Sequence, residues 1–351
     1  MVTQDRLEEM RQEPEPPELD LSWLNLDSEF GVQAEVGRKG LTVEQINVGS
    51  YGEAPDRASG HSATPRGAAR DERMPRMGYV IEDATETFSD SAALLYDEAV
   101  SRQWSSATDI PWETIKELPD GMERAMCQLC TSLTEVEFIA GDVPGKWLPK
   151  VAADHYESGL FLMSQVMDEA RHTDVFRKRA LANGGGLLFQ GGGGGLRQIL
   201  ECTDYSQMSA MLHILGEGFV QTLFRMGELI SHNEAEKRLF RLAGQDESRH
   251  VAYGVTHLKY LLEKEPERAE EIHWALDMFE DTTVDPEQQN PGLGTALVYI
   301  LGDGDMDEGY KLFMNVRRKQ TLEYLHRVEV AGLKGRAERL HPTLKGVLER
   351  N

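Results

Sequence analysis

The chain has 351 residues, 40% hydrophobic and 28% charged, the balance of a globular protein with a sizeable core. Sixty acidic against 37 basic residues give a formal net charge of −23, a field that repels phosphate backbones and argues against nucleic acid as a partner. No apolar run reaches the roughly 18 residues that span a bilayer, and the start lacks the basic and apolar regions of a secretory signal, so a cytoplasmic location is expected.

Residues 1–80 are rich in Pro, Glu, Gly and Arg, as in Glu13-Pro14-Glu15-Pro16-Pro17 and Pro65-Arg66-Gly67, with no sustained helical period. They read as a flexible or extended arm, pinned at one patch by Trp23, Leu24 and Phe30. Residues 91–103 form a first amphipathic stretch, and Asp109-Ile110-Pro111 breaks it. A helix then starts at Pro119-Asp120, with an apolar stripe of Met122, Met126, Leu129 and Leu133, and is expected to end near Pro144-Gly145. A second helix is predicted over 149–183, stopped by Gly184-Gly185-Gly186. Gly191 to Gly195 follow as five glycines. With no Lys-Ser/Thr after them and no strand before, they read as a flexible connection and not a phosphate loop.

Helices over 207–232 and 233–264 complete a set of four, each long enough for an extended bundle. Three more are expected over 268–282, 294–301 and 305–331. No strand pattern competes, so the fold class is all-α, with the bundle over 81–265 and a C-terminal helical extension of the same domain over 266–351. The three cysteines, Cys127, Cys130 and Cys202, have neither a second pair nor a His-x-x-x-His to make a zinc site and read as packed or surface thiols.

Two segments carry chemistry. Asp168-Glu169-Ala170-Arg171-His172 and Asp246-Glu247-Ser248-Arg249-His250 both spell Asp-Glu-x-Arg-His, 78 residues apart on different predicted helices. Glu and His three apart leave one helix face a turn apart, which offers a metal a carboxylate oxygen and an imidazole nitrogen together. In both helices they interrupt an inner apolar stripe: Leu162, Phe176 and Ala180 in one, Phe240, Ala243 and Leu261 in the other. Ionised groups there are costly unless paired or metal-bound.

A di-metal site of this kind takes one further Glu from each of the other two helices. Glu217 lies in line with Ala210, Ile214 and Phe224. On the first helix, Glu137 continues the Met126–Cys130–Leu133 stripe, whereas Glu135 lies on a more polar flank, so Glu137 is favoured.

The order Glu, Glu-x-x-His, Glu, Glu-x-x-His resembles the ferritin-like di-iron carboxylate superfamily. This includes ribonucleotide reductase small subunits and the hydroxylases of bacterial multicomponent monooxygenases, and the hydroxylase pattern is the nearer one. The resemblance spans about residues 120–265. It implies a four-helix bundle with extra N- and C-terminal helices. It also implies two iron ions, or manganese with iron, held by Glu137, Glu169, His172, Glu217, Glu247 and His250, with dioxygen as co-substrate. Asp168 and Asp246 would accept hydrogen bonds from the histidines of the opposite motif, braced by Arg171 and Arg249. A homodimer is a further expectation.

Three departures separate this chain from particular relatives. Phe176 stands where the reductases keep a radical Tyr. Ile139 and Leu212 stand where the ligand-binding oxidase joins Val to Tyr. Ala243 stands where the p-aminobenzoate N-oxygenase type adds a third His. The expectation is a di-iron oxygenase acting on a small apolar or aromatic substrate in a pocket of Leu133, Phe176, Leu215, Gln221 and Phe224. Electrons would come from an external reductase or ferredoxin, since the chain has no flavin or iron–sulfur motif. A ferroxidase or iron-handling protein, a radical-generating subunit and a metal-free helical interaction protein are the other readings.

Overall fold

The computed structural model describes residues 4–11, 18–26, 31–59, 63–191, 194–284 and 291–349. Among them there is no strand, only three isolated bridges. The helices that build the site are α1 (Ala92–Ser101), α2 (Asp120–Trp147) and α3 (Tyr156–Ala182). Next, α4 starts at Tyr205–Ser209, passes through a π-helical segment at Ala210–Gly216 and continues as Glu217–Ile230. After it come α5 (Glu234–Lys264), α6 (Ala269–Val284), α7 (Gly292–Leu301) and α8 (Met306–Val330).

Helices α2 to α5 form the bundle as two antiparallel pairs. Arg179 near the end of α3 reaches Glu123 near the start of α2, and Gly227 near the end of α4 sits against the Phe240 ring of α5. Two apolar clusters fill the bundle's interior. One is centred on Phe161, Leu162, Met211, Leu215, Tyr253 and Leu258, the other on Met126, Leu133, Phe176, Phe224 and Phe240. The Glu and His positions of both motifs fall in the gap between them.

Several helix boundaries differ from the sequence expectation. Helix α2 runs through Pro144 to Trp147, because Val143 and Trp147 are both buried in the core and hold the last turn in place. Helix α3 starts at Tyr156, seven residues later than predicted. The preceding backbone is taken by a bridge to the arm, with Ile81 N–H on Lys150 O at 2.9 Å and Ala152 N–H on Ile81 O at 3.1 Å. Of the glycine run, Gly191 lies outside any helix, Gly192 and Gly193 fall outside the described residues, and Gly194 and Gly195 open the helix Gly194–Glu201.

The arm is held at a different place from the one expected. Trp23 and Leu24 are each 61% exposed, and Phe30 lies outside the described residues. The anchor is Arg66, which pairs with Glu157, donates to the carbonyls of Asp154 and Tyr51 at 2.9 Å each, and stacks on the Tyr156 ring. A guanidinium satisfies five donors at once, which a surface Trp cannot do.

Candidate metal centre

Glu137 comes from α2, Glu169 and His172 from α3, Glu217 from α4, and Glu247 and His250 from α5. All six converge at mid-bundle, none more than 3% exposed. Donor atoms of Glu137, Glu169, His172 and Glu247 lie within 4.8 Å of one another, as do those of Glu169, Glu217, Glu247 and His250. Glu169 and Glu247 belong to both groups. Glu135, by contrast, points away and accepts from Gly191 N–H.

The histidine tautomers follow from their partners. His172 Nε2 stands 3.2 Å from Asp246 Oδ2, and His250 Nε2 stands 3.3 Å from Asp168 Oδ2. A carboxylate only accepts, so each Nε2 carries the proton and the Nδ1 of a neutral ring is a bare acceptor. Yet His172 Nδ1 faces oxygens of Glu137, Glu169 and Glu247 at 3.1, 3.2 and 3.1 Å. His250 Nδ1 faces those of Glu169, Glu217 and Glu247 at 3.0, 3.6 and 3.3 Å. Acceptors that close repel unless a proton or cation stands between them.

Charge points the same way. Four glutamates and two aspartates against Arg171 and Arg249 leave four negative charges, which two divalent cations cancel. Glu137 Oε1, Glu169 Oε1, Glu217 Oε2, both oxygens of Glu247 and His250 Nδ1 are buried without a hydrogen-bond partner. With no cation, burial and the adjacent carboxylates push Glu137 and Glu217 well above the ordinary carboxylate range. Burial opposes charge on His172 and His250, but the surrounding carboxylates drive both well above an ordinary imidazole. Oxygen and imidazole donors of this kind suit first-row divalent ions.

A layer of hydrogen bonds fixes the donors. Arg171 reaches Asp168 and, at 3.0 Å, Asp246, while Arg249 reaches Asp168 at 2.8 Å and Asp246 at 2.6 Å. Three members of this layer escaped the sequence reading. Trp104 Nε1 donates to Asp246 Oδ2 at 2.7 Å, and Arg171 lies over the Trp104 ring. Gln165 Nε2 donates to Glu217 Oε1 at 2.8 Å and its Oε1 lies 3.1 Å from His213 Nε2. Gln165 sits one turn before Glu169 on the inner stripe, and that polar interruption was the available signal. Trp104 lies beyond α1 with no spacing to betray it.

The π-helical segment ends at Gly216, directly before Glu217. One extra residue per turn widens the helix and re-aims the side chains beyond it, a geometry common near functional sites. Gly254 lets α5 approach this segment, since a Cβ there would come within 2.4 Å of His213 Cβ. The Ile214 carbonyl accepts from Arg327 Nε at 2.9 Å, so α8 clamps the segment from outside.

A cavity of about 640 Å³ opens beside Glu137, Glu217 and Glu247. Its wall is Val136, Ile139, Leu212, Leu215, Phe219 and Leu223 from the bundle, with Phe279, Leu297, Phe313, Val316, Arg317 and Gln320 from α6 to α8. This corrects the expected pocket, of which only Leu215 lines the cavity. Leu133, Phe176 and Phe224 are closed core: Phe176 packs on Phe224 and Phe240 at ring distances of 5.2 and 5.8 Å. Gln221 is buried and donates to Ser248 Oγ at 2.8 Å. The single-helix stripe marks both clusters alike, and only the C-terminal helices decide which side stays open. Ile139 and Leu212 both reach the cavity, and neither offers the phenol that an ether cross-link needs.

Neither the protein-family models nor the curated proteins match this sequence. Solved structures do match. A variant of an R2-like ligand-binding oxidase with an aerobically reconstituted Fe/Fe cofactor superposes with a TM-score of 0.52 and 15% identity, over 68% of this chain and 92% of its own. The fold is that of the R2-like oxidases. A Mn/Fe-reconstituted form gives a TM-score of 0.50 and 14% identity, over 72% and 93% of the two chains.

Proposed function

We propose that this chain is a di-metal oxidoreductase of the mono-oxygenase type that uses dioxygen to hydroxylate or N-oxygenate a small apolar or aromatic substrate. The observation that carries this reading is the set of six buried, converging donor groups, of which Glu137, Glu169, Glu217, Glu247 and His250 each keep at least one donor atom without a partner. Glu137, Glu169, His172 and Glu247 would hold one ion, and Glu169, Glu217, Glu247 and His250 the other. Two irons are proposed, with manganese in one position as the variant that the cofactors of the R2-like oxidases suggest.

When bound, the two ions supply the redox chemistry that reduces dioxygen with electrons from an external reductase or ferredoxin. The chain's own residues set the conditions. Asp246 and Asp168 keep the Nε2 protons on the histidines, which leaves each Nδ1 free to donate its lone pair. Gln165 fixes the Glu217 oxygen that does not face inward. The apolar wall excludes water and admits a substrate of matching polarity.

The ferroxidase reading has the same donors but no use for the cavity, and the radical-subunit reading meets a closed phenylalanine cluster at Phe176. Elemental analysis of the purified chain, followed by anaerobic Fe(II) loading and rapid mixing with dioxygen, tests the proposal. Two metal ions per chain and a transient absorbance on mixing are expected. No uptake of metal overturns it in favour of a helical interaction protein. Oxidation of excess Fe(II) with no substrate-dependent product overturns it in favour of a ferroxidase.

A further inference from the structure

The π-helical segment gives way to α-helix between Gly216 and Glu217, so the change of spacing falls directly before a donor of the proposed centre. Across it the Glu217 N–H bonds to Leu212 O, five residues back. Restoring α spacing there would turn Glu217 by about 100° relative to the turns before it. π spacing is rare, so tertiary contacts must hold it, and three side chains of α8 stand against the junction. Arg327 Nε donates to Ile214 O at 2.9 Å, across 113 residues of sequence. Gln320 Nε2 donates to Phe219 O at 2.8 Å, and Glu323 Oε2 accepts from Thr222 Oγ1 at 2.5 Å. Together the three contacts bracket Glu217.

Arg327 is the most closely fitted of the three. A Cβ on Gly218 would collide with its Nη2, its Cζ and its Nε. The whole guanidinium thus fills the place of the side chain that Gly218 lacks, one residue beyond Glu217. Its Nη2 is buried and has no hydrogen-bond partner. Arg66, Arg179 and Arg336 pair with Glu157, Glu123 and Glu280, whereas Arg327 makes no ion pair among the described residues. Burial lowers its pKa to about 10 against the pull of Glu323 and Tyr324. A buried cation without a carboxylate is costly, and what this one gains is a hold on the backbone at both sides of Glu217.

We propose that Arg327 is a positioning residue that locks the π-to-α junction from outside the bundle and so aims Glu217 at the ion it shares with His250. The inference rests on the di-metal reading for what Glu217 meets, but not for the lock itself. Glu217 belongs to only one of the two donor groups, whereas Glu169 and Glu247 belong to both. Loosening the junction therefore weakens one ion and spares the other. Gln165 holds the Glu217 carboxylate from within the bundle, donating to Oε1 at 2.8 Å, and Arg327 holds its backbone from without.

Two variants reach the contact from opposite sides. Arg327→Met removes the guanidinium, and Gly218→Ala expels it while favouring helix locally. Stepwise Co(II) titration, followed by visible absorption and chelator competition, reads the two ions. In each variant one ion should bind as in the wild type and the other about tenfold or more weakly. Glu217→Gln marks the affected ion and should weaken the same one. The Arg327→Met/Gly218→Ala double variant should be no weaker than the worse single one, since both changes break one contact. In the metal-free chain the Glu217 amide should exchange its hydrogen about tenfold or more faster in each variant, with the α5 amides unchanged. An unchanged affinity or exchange rate in either variant, an equal loss of both ions, or additive losses in the double variant overturns the proposal. Faster exchange in a chain that takes up no metal leaves the lock standing and defeats the oxidoreductase reading instead.

Discussion

Asp246 Oδ2 stands 3.2 Å from His172 Nε2 although 74 residues separate them, and Trp104 Nε1 donates to the same oxygen at 2.7 Å. One carboxylate thus orients a donor of the proposed centre while being oriented from the far side. Asp246→Asn offers an amide in place of one acceptor and disturbs the ring orientation. Metal affinity should fall by about 10- to 100-fold, read by competition with a chromophoric chelator. An unchanged affinity would show that Asp246 does not orient His172.

Trp104→Phe keeps most of the ring that Arg171 covers but removes the donor to Asp246. A buried hydrogen bond to a charged acceptor contributes about 1.5–3 kcal/mol. Urea unfolding of the metal-free chain should show a loss in that range. A loss below about 0.5 kcal/mol would mean that Asp246 finds another donor.

The two candidate glutamates of α2 should separate cleanly. Glu137→Gln weakens one ion site and should bring metal content down toward one ion per chain. Glu135→Gln touches only the Gly191 contact and should keep both. Elemental analysis after equal loading decides, and the reverse result would move the centre by half a turn.

Core and cavity should likewise respond differently. Phe224→Ala removes a ring packed on both Phe176 and Phe240 and should cost about 3–5 kcal/mol of stability. Leu212→Trp fills open space on the cavity wall. It should change stability little and metal content not at all, while substrate or ligand binding is lost. Normal ligand binding by Leu212→Trp would place the binding site elsewhere.

His257 supplies a pH dependence remote from the metal donors. It stands between Phe88 O at 2.9 Å and Ser206 Oγ at 3.0 Å, and burial lowers its pKa to about 4. The folded chain therefore keeps it neutral, while the unfolded chain binds a proton below about 6.5. Its contribution is fully present above that value and is lost as pH falls from 6.5 toward 4, by about 3 kcal/mol in all. His257→Gln should flatten that part of the unfolding curve. An unchanged slope would assign the acid sensitivity to other groups.

The sequence by itself determined which residues meet at the centre. Glu-x-x-His on an inner stripe obliges two helices to bury four ionisable groups, and the apolar period favours Glu217 and, over Glu135, Glu137 as the remaining members, a choice that the packing of α2 then decided. Helix α5 was legible almost to the residue, since Asn233 caps it through Glu236 N–H at 2.9 Å. What only the tertiary structure decided lies between elements. The π-helical segment before Glu217 leaves no trace in local propensity, because it depends on Gly254 and Arg327 packing from other helices. Phe224 and Leu215 are equally apolar on paper. One became closed core and the other cavity wall because α6, α7 and α8 cover the bundle without filling it. Periodicity reports the face a helix buries, and only the packing of distant segments determines what that face meets.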